Sequence, residues 1–201
     1  MVAAVTFRND TQLVNMNVRD SKKISPKRRK FLAEKIKKFA LKYEILVIPA
    51  KDIDDMRKVM TLNEIEVNAF TQVIKKLRPE TCYVDSADVN EERFGKDILA
   101  NLSFKPDMIS KHKADDTYPI VGAASILAKT KRDEEVGKIE KKLQEKLDIP
   151  MGSGYPADPI TQNFLKKWLD KYGKFPIYVR YSWKTAQNLL KQKDNKKLDD
   201  F

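Results

Sequence analysis

Short apolar segments that read as strands alternate along this chain with longer segments of helical period, and that alternation restricts it to an α/β fold. Val2 to Phe7, Ile45 to Ile48, Thr81 to Asp85 and Asp107 to Ser110 read as strands, and Arg8 to Asn17 as a polar turn. Ser25-Pro26 marks a helix start, a hydroxyl cap followed by proline at the first helical position. Leu32, Ile36, Phe39 and Tyr43 then share one face of that helix. Thr61-Leu62-Asn63-Glu64 has the form of a capping box, and the helix behind it ends near Pro79. Further helices are expected over Glu91 to Leu102, from Pro119, from Asp158-Pro159 to the stop at Gly173, and from Ser182, with a frayed tail from Lys191. Two parts are expected, 1–150 and a helical part over 151–201 that ends in a basic tail.

The single cysteine, Cys82, excludes an intramolecular disulfide and so a stapled secreted fold; it sits within a strand and reads as core. No apolar run approaches the roughly 20 residues that span a bilayer. The expected location is the cytoplasm. With 40 Lys and Arg against 29 Asp and Glu, the net charge is +11, which favours polyanionic partners. The excess gathers at Lys22 to Lys42 and Lys191 to Lys197. Either run also fits an ordinary solvated helix face.

One histidine, His112, cannot make a histidine metal site or a conventional triad, and no phosphate-binding glycine pattern is present. Carboxylates remain. Asp85 ends a strand, with Asp88 three residues on, and Asp115-Asp116 lie between a strand and a long helix. In open α/β sheets ligands gather at the C-terminal ends of strands. Hard divalent cations take oxygen ligands, so these positions suit a metal-assisted phosphoryl reaction. A turn aspartate at Asp85 and a helix-start aspartate at Asp115 are the plain alternatives. Gly152-Ser153-Gly154-Tyr155 sets an aromatic ring on flexible backbone, either to stack on a sugar or base or as a surface turn. Ser21 and Lys22 either bind phosphate or are simply solvated.

Six motifs in order resemble type 2 ribonuclease H (ribonuclease HII), most closely its archaeal branch. They are Arg19-Asp20-Ser21-Lys22-Lys23, Thr61-Leu62-Asn63-Glu64, Tyr83-Val84-Asp85-Ser86-Ala87-Asp88, His112-Lys113-Ala114-Asp115-Asp116, Ala123-Ala124-Ser125-Ile126-Leu127-Ala128-Lys129 and Gly152-Ser153-Gly154-Tyr155-Pro156. The resemblance runs to about Trp183. It implies a ribonuclease H-like mixed sheet flanked by helices, with a helical C-terminal part. It also implies cleavage of RNA in RNA–DNA hybrids, including single ribonucleotides embedded in DNA, with Mg²⁺ or Mn²⁺. Asp85 and Asp115 match the third and fourth of four metal-holding, catalytic carboxylates. Tyr155 matches a tyrosine that packs on the sugar at the RNA-to-DNA junction, and Ser21, Lys22, Gly154 and Asn63 fall among the substrate contacts. The implied partners are an RNA–DNA hybrid or ribonucleotide-containing duplex and a sliding clamp, with the enzyme a monomer and no membrane involved.

The chain departs from the family in one respect. The family begins with a strand ending in Asp-Glu-Ala-Gly-Arg-Gly, which carries the first two metal ligands and is not in this sequence. Met1 aligns with the second strand. The reading favours a mis-assigned start over a genuine truncation and expects the chain as given to be impaired. A non-catalytic nucleic-acid-binding remnant is the alternative.

Overall fold

A computed structural model describes residues 1–18 and 24–199. By packing, the chain forms two units, one of 1–47 with 61–132 and the other of 48–60 with 133–201.

The first unit holds four strands in two pairs. Strand β1 (Val2–Thr6) runs antiparallel to β2 (Lys42–Leu46), with Val2 opposite Leu46 and Thr6 opposite Lys42. Strand β3 (Thr81–Asp85) runs parallel to β4 (Asp107–Lys111), with Asp85 opposite Lys111. Among the described residues β1 pairs with β2 alone and β3 with β4 alone, so the mixed strand directions fall in two small sheets.

Helix packing follows the sequence periodicity in most places. Helix α1 spans Thr11–Asn15, and α2, Pro26–Phe39, is capped by Ser25, whose hydroxyl accepts the Arg28 N–H. Helix α3 covers Ala50–Met56, and α4 covers Leu62–Leu77. The capping box at α4 is complete: Glu64 N–H donates to the Thr61 hydroxyl, and Thr61 N–H donates to the Glu64 carboxylate at 2.7 Å. Arg78 closes the helix in a left-handed conformation. Helices α5 (Glu91–Ala100), α6 (Ala114–Thr117) and α7 (Pro119–Gln144) follow. Helix α8 (Pro159–Tyr172) ends at Gly173, and α9 covers Lys184–Asp199.

Two apolar clusters fill the first unit. Leu13, Val18, Leu32, Ala33, Ile36, Ile126 and Leu127 form one, with Val5 of β1. Val67, Val73 and Ile74 of α4 form the other, with Cys82 and Val84 of β3 and Phe94 and Ile98 of α5; Val2, Ala4 and Leu46 pack on its edge. The second unit closes around Phe164, Leu165, Trp168, Leu169, Met151, Phe175 and Val179. Within it Asp54 of α3 accepts the N–H groups of Tyr181 and Ser182 at 2.6 and 3.1 Å. At Gly122 in α7, any Cβ would lie 2.8 Å from the Val18 carbonyl oxygen, so that close approach requires glycine.

Several expectations need correction. The span expected as a turn after β1 contains α1, because Leu13 is wholly buried and pulls the segment into a helical turn against the core. Tyr43 belongs to β2 rather than to the α2 face, because α2 stops at Phe39 and Ala40 turns extended. The second strand begins at Lys42 and is only half-buried, while Val47 lies beyond it. Helix α9 carries on to Asp199 instead of fraying from Lys191, in a stretch without glycine or proline. Tyr172, which helical spacing places inward with Phe164 and Trp168, is instead 38% exposed on α8, its ring tilted against Trp168 with centroids 4.6 Å apart.

Phe94 is fully buried and contacts Phe70 edge to face at 5.2 Å. Truncating Phe94 to alanine should cost about 3–5 kcal/mol, the range for buried aromatics. Val89→Ala, at a side chain 95% exposed, should stay within about 0.5 kcal/mol of the parent. Urea denaturation of the two variants measures the difference.

Candidate active site

Asp85 is the last residue of β3, and its Oδ1 accepts the N–H of Ala114 at 3.0 Å. That bond fixes the end of β3 against the start of α6, where Asp115 is the next residue. The chain turns into α6 through Lys113 in a left-handed conformation (φ 54°). For a residue with a Cβ this conformation costs roughly 1–2 kcal/mol, and here it aims the Ala114 N–H at Asp85. Asp115 is 3% exposed. Lys129 of α7 brings its ammonium 4.0 Å from Asp115 Oδ2. A buried carboxylate needs such compensation or a bound cation. Asp85 and Asp115 are thus brought to one end of the β3–β4 pair.

The loop after β3 is tied down by Asp88, a buried carboxylate. Arg93 grips it with two bonds, Nε to Oδ2 at 2.8 Å and Nη2 to Oδ1 at 2.6 Å. Asn90 N–H and the Asn63 side-chain amide add bonds at 3.0 and 2.9 Å. Arg93 foremost, then Asn90 and Asn63, hold the Asp88 carboxyl at about 2, against an ordinary 3.8. Asn63 donates from its Nδ2 to Asp88, and its buried Oδ1 has no hydrogen-bond partner among the described residues. Glu91 joins the start of α5 to the end of β4, pairing with Lys111 at 2.6 Å and accepting the His112 N–H at 3.0 Å. The His112 Nε2 lies 3.1 Å from the Val89 carbonyl oxygen. The lone histidine braces a loop. Cys82 is core, and burial pushes its thiol up to about 12.

In the second unit, Gly152 and Gly154 take left-handed conformations, and the Tyr155 side chain is half-exposed. Gly154 N–H donates to the Thr161 hydroxyl at 2.9 Å. Asp158 caps α8 through Ile160 N–H and also accepts from Ser153. The Ser153 hydroxyl and N–H chiefly, then Ile160 and Thr161, hold its carboxyl at about 2. Ser21 and Lys22 lie outside the described residues. Sequence reasoning gave Asp158 only a helix start, and assigned no role to Lys129. The Asp-Pro pair signals the cap, but nothing local links Asp158 to Ser153, or Lys129 to Asp115.

Residues 1–186 match the family model for ribonuclease HII. The chain belongs to the ribonuclease HII family. It is 47% identical to a ribonuclease HII of Methanococcoides burtonii over 184 residues, covering 89% of this chain and 84% of that protein. The ribonuclease H2 structure from Pyrococcus horikoshii matches with a TM-score of 0.82 and 37% identity, over 92% of this chain and 85% of that one. The ribonuclease HII from Archaeoglobus fulgidus, solved in complex with PCNA, matches with the same TM-score and identity, over 93% and 86%. The family is one of metal-dependent endoribonucleases, and the fold is the ribonuclease HII fold.

Two carboxylates are a donor set of the right kind for a hard divalent cation. Mg²⁺ is held in many enzymes by one or two carboxylates, with water and substrate phosphate completing the sphere. Among the described residues no group of three or more His, Cys, Asp or Glu side chains is arranged to hold a metal. Asp85 and Asp115 therefore fit one such ion in part.

The carboxyls of Asp88 and Asp158 are both held below the ordinary 3.8, at about 2, so each stabilises the fold fully above pH 4 and loses that contribution as pH falls towards 2. Urea denaturation between pH 5 and pH 2 should show stability falling in that window. Asp88→Asn should be less stable at pH 5, with a shallower fall.

Proposed function

We propose that this chain is an endoribonuclease acting on RNA in RNA–DNA hybrids, including single ribonucleotides embedded in DNA, with Mg²⁺ or Mn²⁺ held by Asp85 and Asp115. The observation that carries the reading is the Ala114 N–H bond to Asp85, which sets the strand-end carboxylate beside the buried Asp115. Such a cation, when bound, supplies Lewis-acid charge to the phosphoryl group. The reaction adds water across the phosphodiester on the 5′ side of the ribonucleotide and leaves a 3′-hydroxyl and a 5′-phosphate.

The chain's own groups bind and orient. Asp85, held through Oδ1, keeps a fixed direction at the strand end. Lys129 offsets the charge of Asp115 before a cation arrives. Tyr155 lays its exposed ring on the sugar, Gly154 allows backbone approach, and Ser21 and Lys22 take phosphate. Asn63 gives one of its two Nδ2 protons to Asp88 and offers the other to substrate. The ribose 2′-hydroxyl is the group that separates RNA from DNA. The division of roles assigns catalysis to 1–150 and substrate binding to 151–201.

A sliding clamp is the proposed protein partner, supported by the likeness to the Archaeoglobus fulgidus protein solved with PCNA. A cytoplasmic monomer serving DNA replication and repair completes the reading. Among the described residues no helix is long and apolar enough to cross a membrane. Among the described residues no group of three or more carboxylate, histidine or cysteine side chains is arranged to hold a metal, so weak retention of the cation and low turnover of the 201-residue chain are expected.

Asp85→Asn and Asp115→Asn should each lower cleavage by at least about 10–100-fold, the loss that even outer-shell partners of a metal cause. Hybrid binding should stay near wild type, because phosphate contacts are made elsewhere. A gel assay on a duplex with one ribonucleotide, in Mg²⁺ or Mn²⁺, measures both. Cleavage by Asp85→Asn at the wild-type rate would remove the site assignment. Lys22→Ala should weaken binding to any duplex and reduce the slope of log affinity against log salt by about one.

A further inference from the structure

The short loop before α8 is held far more firmly than a helix cap requires. Capping α8 uses one bond, Ile160 N–H to Asp158 Oδ1 at 3.0 Å. The other oxygen, Oδ2, accepts the Ser153 N–H at 2.6 Å and the Ser153 hydroxyl at 2.7 Å, and lies 3.1 Å from the Thr161 hydroxyl. The Ser153 hydroxyl accepts the Tyr155 N–H at 3.4 Å, while Asp158 N–H donates to the Tyr155 carbonyl at 3.1 Å. Thr161 accepts the Gly154 N–H at 2.9 Å, and its one proton serves either Asp158 or the Met151 carbonyl, 3.0 Å away. Gln162 Nε2 donates to the Pro156 carbonyl at 2.7 Å.

We propose that Asp158 and Thr161 are positioning residues for Tyr155: they hold the Gly152–Pro156 backbone so that the exposed ring is presented to the substrate in one orientation. The proposal rests on the reading of Tyr155 as the residue that packs on the sugar. The packing around Gly152 supports it. A Cβ there would sit 2.6 Å from Asp158 Oδ2 and 2.8 Å from Thr161 N, at φ +76°. The loop is therefore moulded onto these two side chains. A ring on two left-handed glycines would otherwise sample many directions, and fixing it beforehand lowers the ordering cost of binding. Thr161 is 4% exposed and Tyr155 52%, so the clasp is buried while the residue it aims is accessible. Asp158 remains ionised at neutral pH, so it accepts every one of these bonds in the working range.

The test has two arms on the 201-residue chain. The first replaces tyrosine with 3-fluorotyrosine and follows the ¹⁹F resonance of position 155, assigned by its absence in Tyr155→Phe. Asp158→Asn and Thr161→Val should move that resonance to the position of an exposed peptide tyrosine, whereas Thr161→Ser, which keeps the hydroxyl, should leave it in place. Should Asp158→Asn fail to fold by circular dichroism, the Thr161 pair decides this arm. An unmoved resonance in Thr161→Val overturns the positioning role.

The second arm compares affinities for a duplex with one ribonucleotide and its all-DNA counterpart, in EDTA so that nothing is cleaved. Tyr155→Ala and Thr161→Val should each reduce the ratio of the two affinities by about fivefold, a factor within reach of one lost stacking contact. The double variant should be no worse than Tyr155→Ala, because both changes remove the same contact. Losses that multiply, or a wild-type ratio in Thr161→Val beside a reduced one in Tyr155→Ala, overturn the proposal and leave the Tyr155 reading standing. A wild-type ratio in Tyr155→Ala rejects the Tyr155 reading and the recognition role proposed for the clasp with it, whatever the resonance shows.

Discussion

The arrangement of the first unit depends on one apolar cluster that spans two sheets with no ladder between them. Val67, Val73 and Ile74 of α4 pack with Cys82 and Val84 of β3, while Val2, Ala4 and Leu46 of the other sheet lie against the same cluster. Hydrogen bonds set register within each pair of strands, while among the described residues the two pairs are related by side-chain burial against α4 and by the Lys76–Glu44 ion pair between α4 and β2. Burial is strong and non-directional. Each buried side chain in that cluster therefore carries weight beyond its area. Each of the four strands has one edge without a partner among the described residues, and such edges are where non-native pairing would begin.

Directional bonds return at the loops that carry the motifs. At the end of β3 the Ala114 N–H reaches Asp85, and Asp88 gathers Arg93, Asn90 and Asn63 around the next turn. Each bond is charge-assisted, hence stronger than a neutral one. The carboxylates at these loops do two different jobs. Asp88 and Asp158 are consumed by the protein's own donors and stiffen backbone. Asp115 is buried beside Lys129, an arrangement in which an incoming cation would compete with an ammonium 4.0 Å away.

Local signals made most elements readable. Ser25-Pro26, Thr61 to Glu64 and Asp158-Pro159 each place a side-chain acceptor at a helix start, and each structural cap is where the sequence puts it. What escaped local reading is what distant residues decide. Helix α1 has no side-chain cap, since Asp10 makes no such bond, and is set by the burial of Leu13 and Val18. Helix α3 was not foreseen at all; its Asp54 bonds to Tyr181 and Ser182, far along the chain. The candidate site shows the same split. Asp85 was legible because a strand runs into it and Asp115 because a helix follows, but the Asp88–Arg93 clamp and the Asp158 clasp need the fold to bring their partners in.

The basic surplus admits both of its readings at once. Helix α2 turns Leu32, Ala33 and Ile36 into the core and leaves Lys27, Arg28, Lys30, Lys35 and Lys38 exposed. Glu34 pairs with Lys37 at 2.9 Å and is the helix's only acid. The helix is therefore an ordinary amphipathic one whose solvated face has almost no internal counter-charge. Such a face costs little in stability, because exposed charges are well hydrated and screened beyond about 8–10 Å at physiological salt. It also leaves most of these cations facing solvent, as a polyanion needs, since affinity for a phosphate backbone comes from releasing condensed counterions rather than from any built pocket. The α2 face has the charge and exposure of an ordinary solvated helix face, and the same exposed cations are the kind of surface that the proposed polyanionic substrate would use.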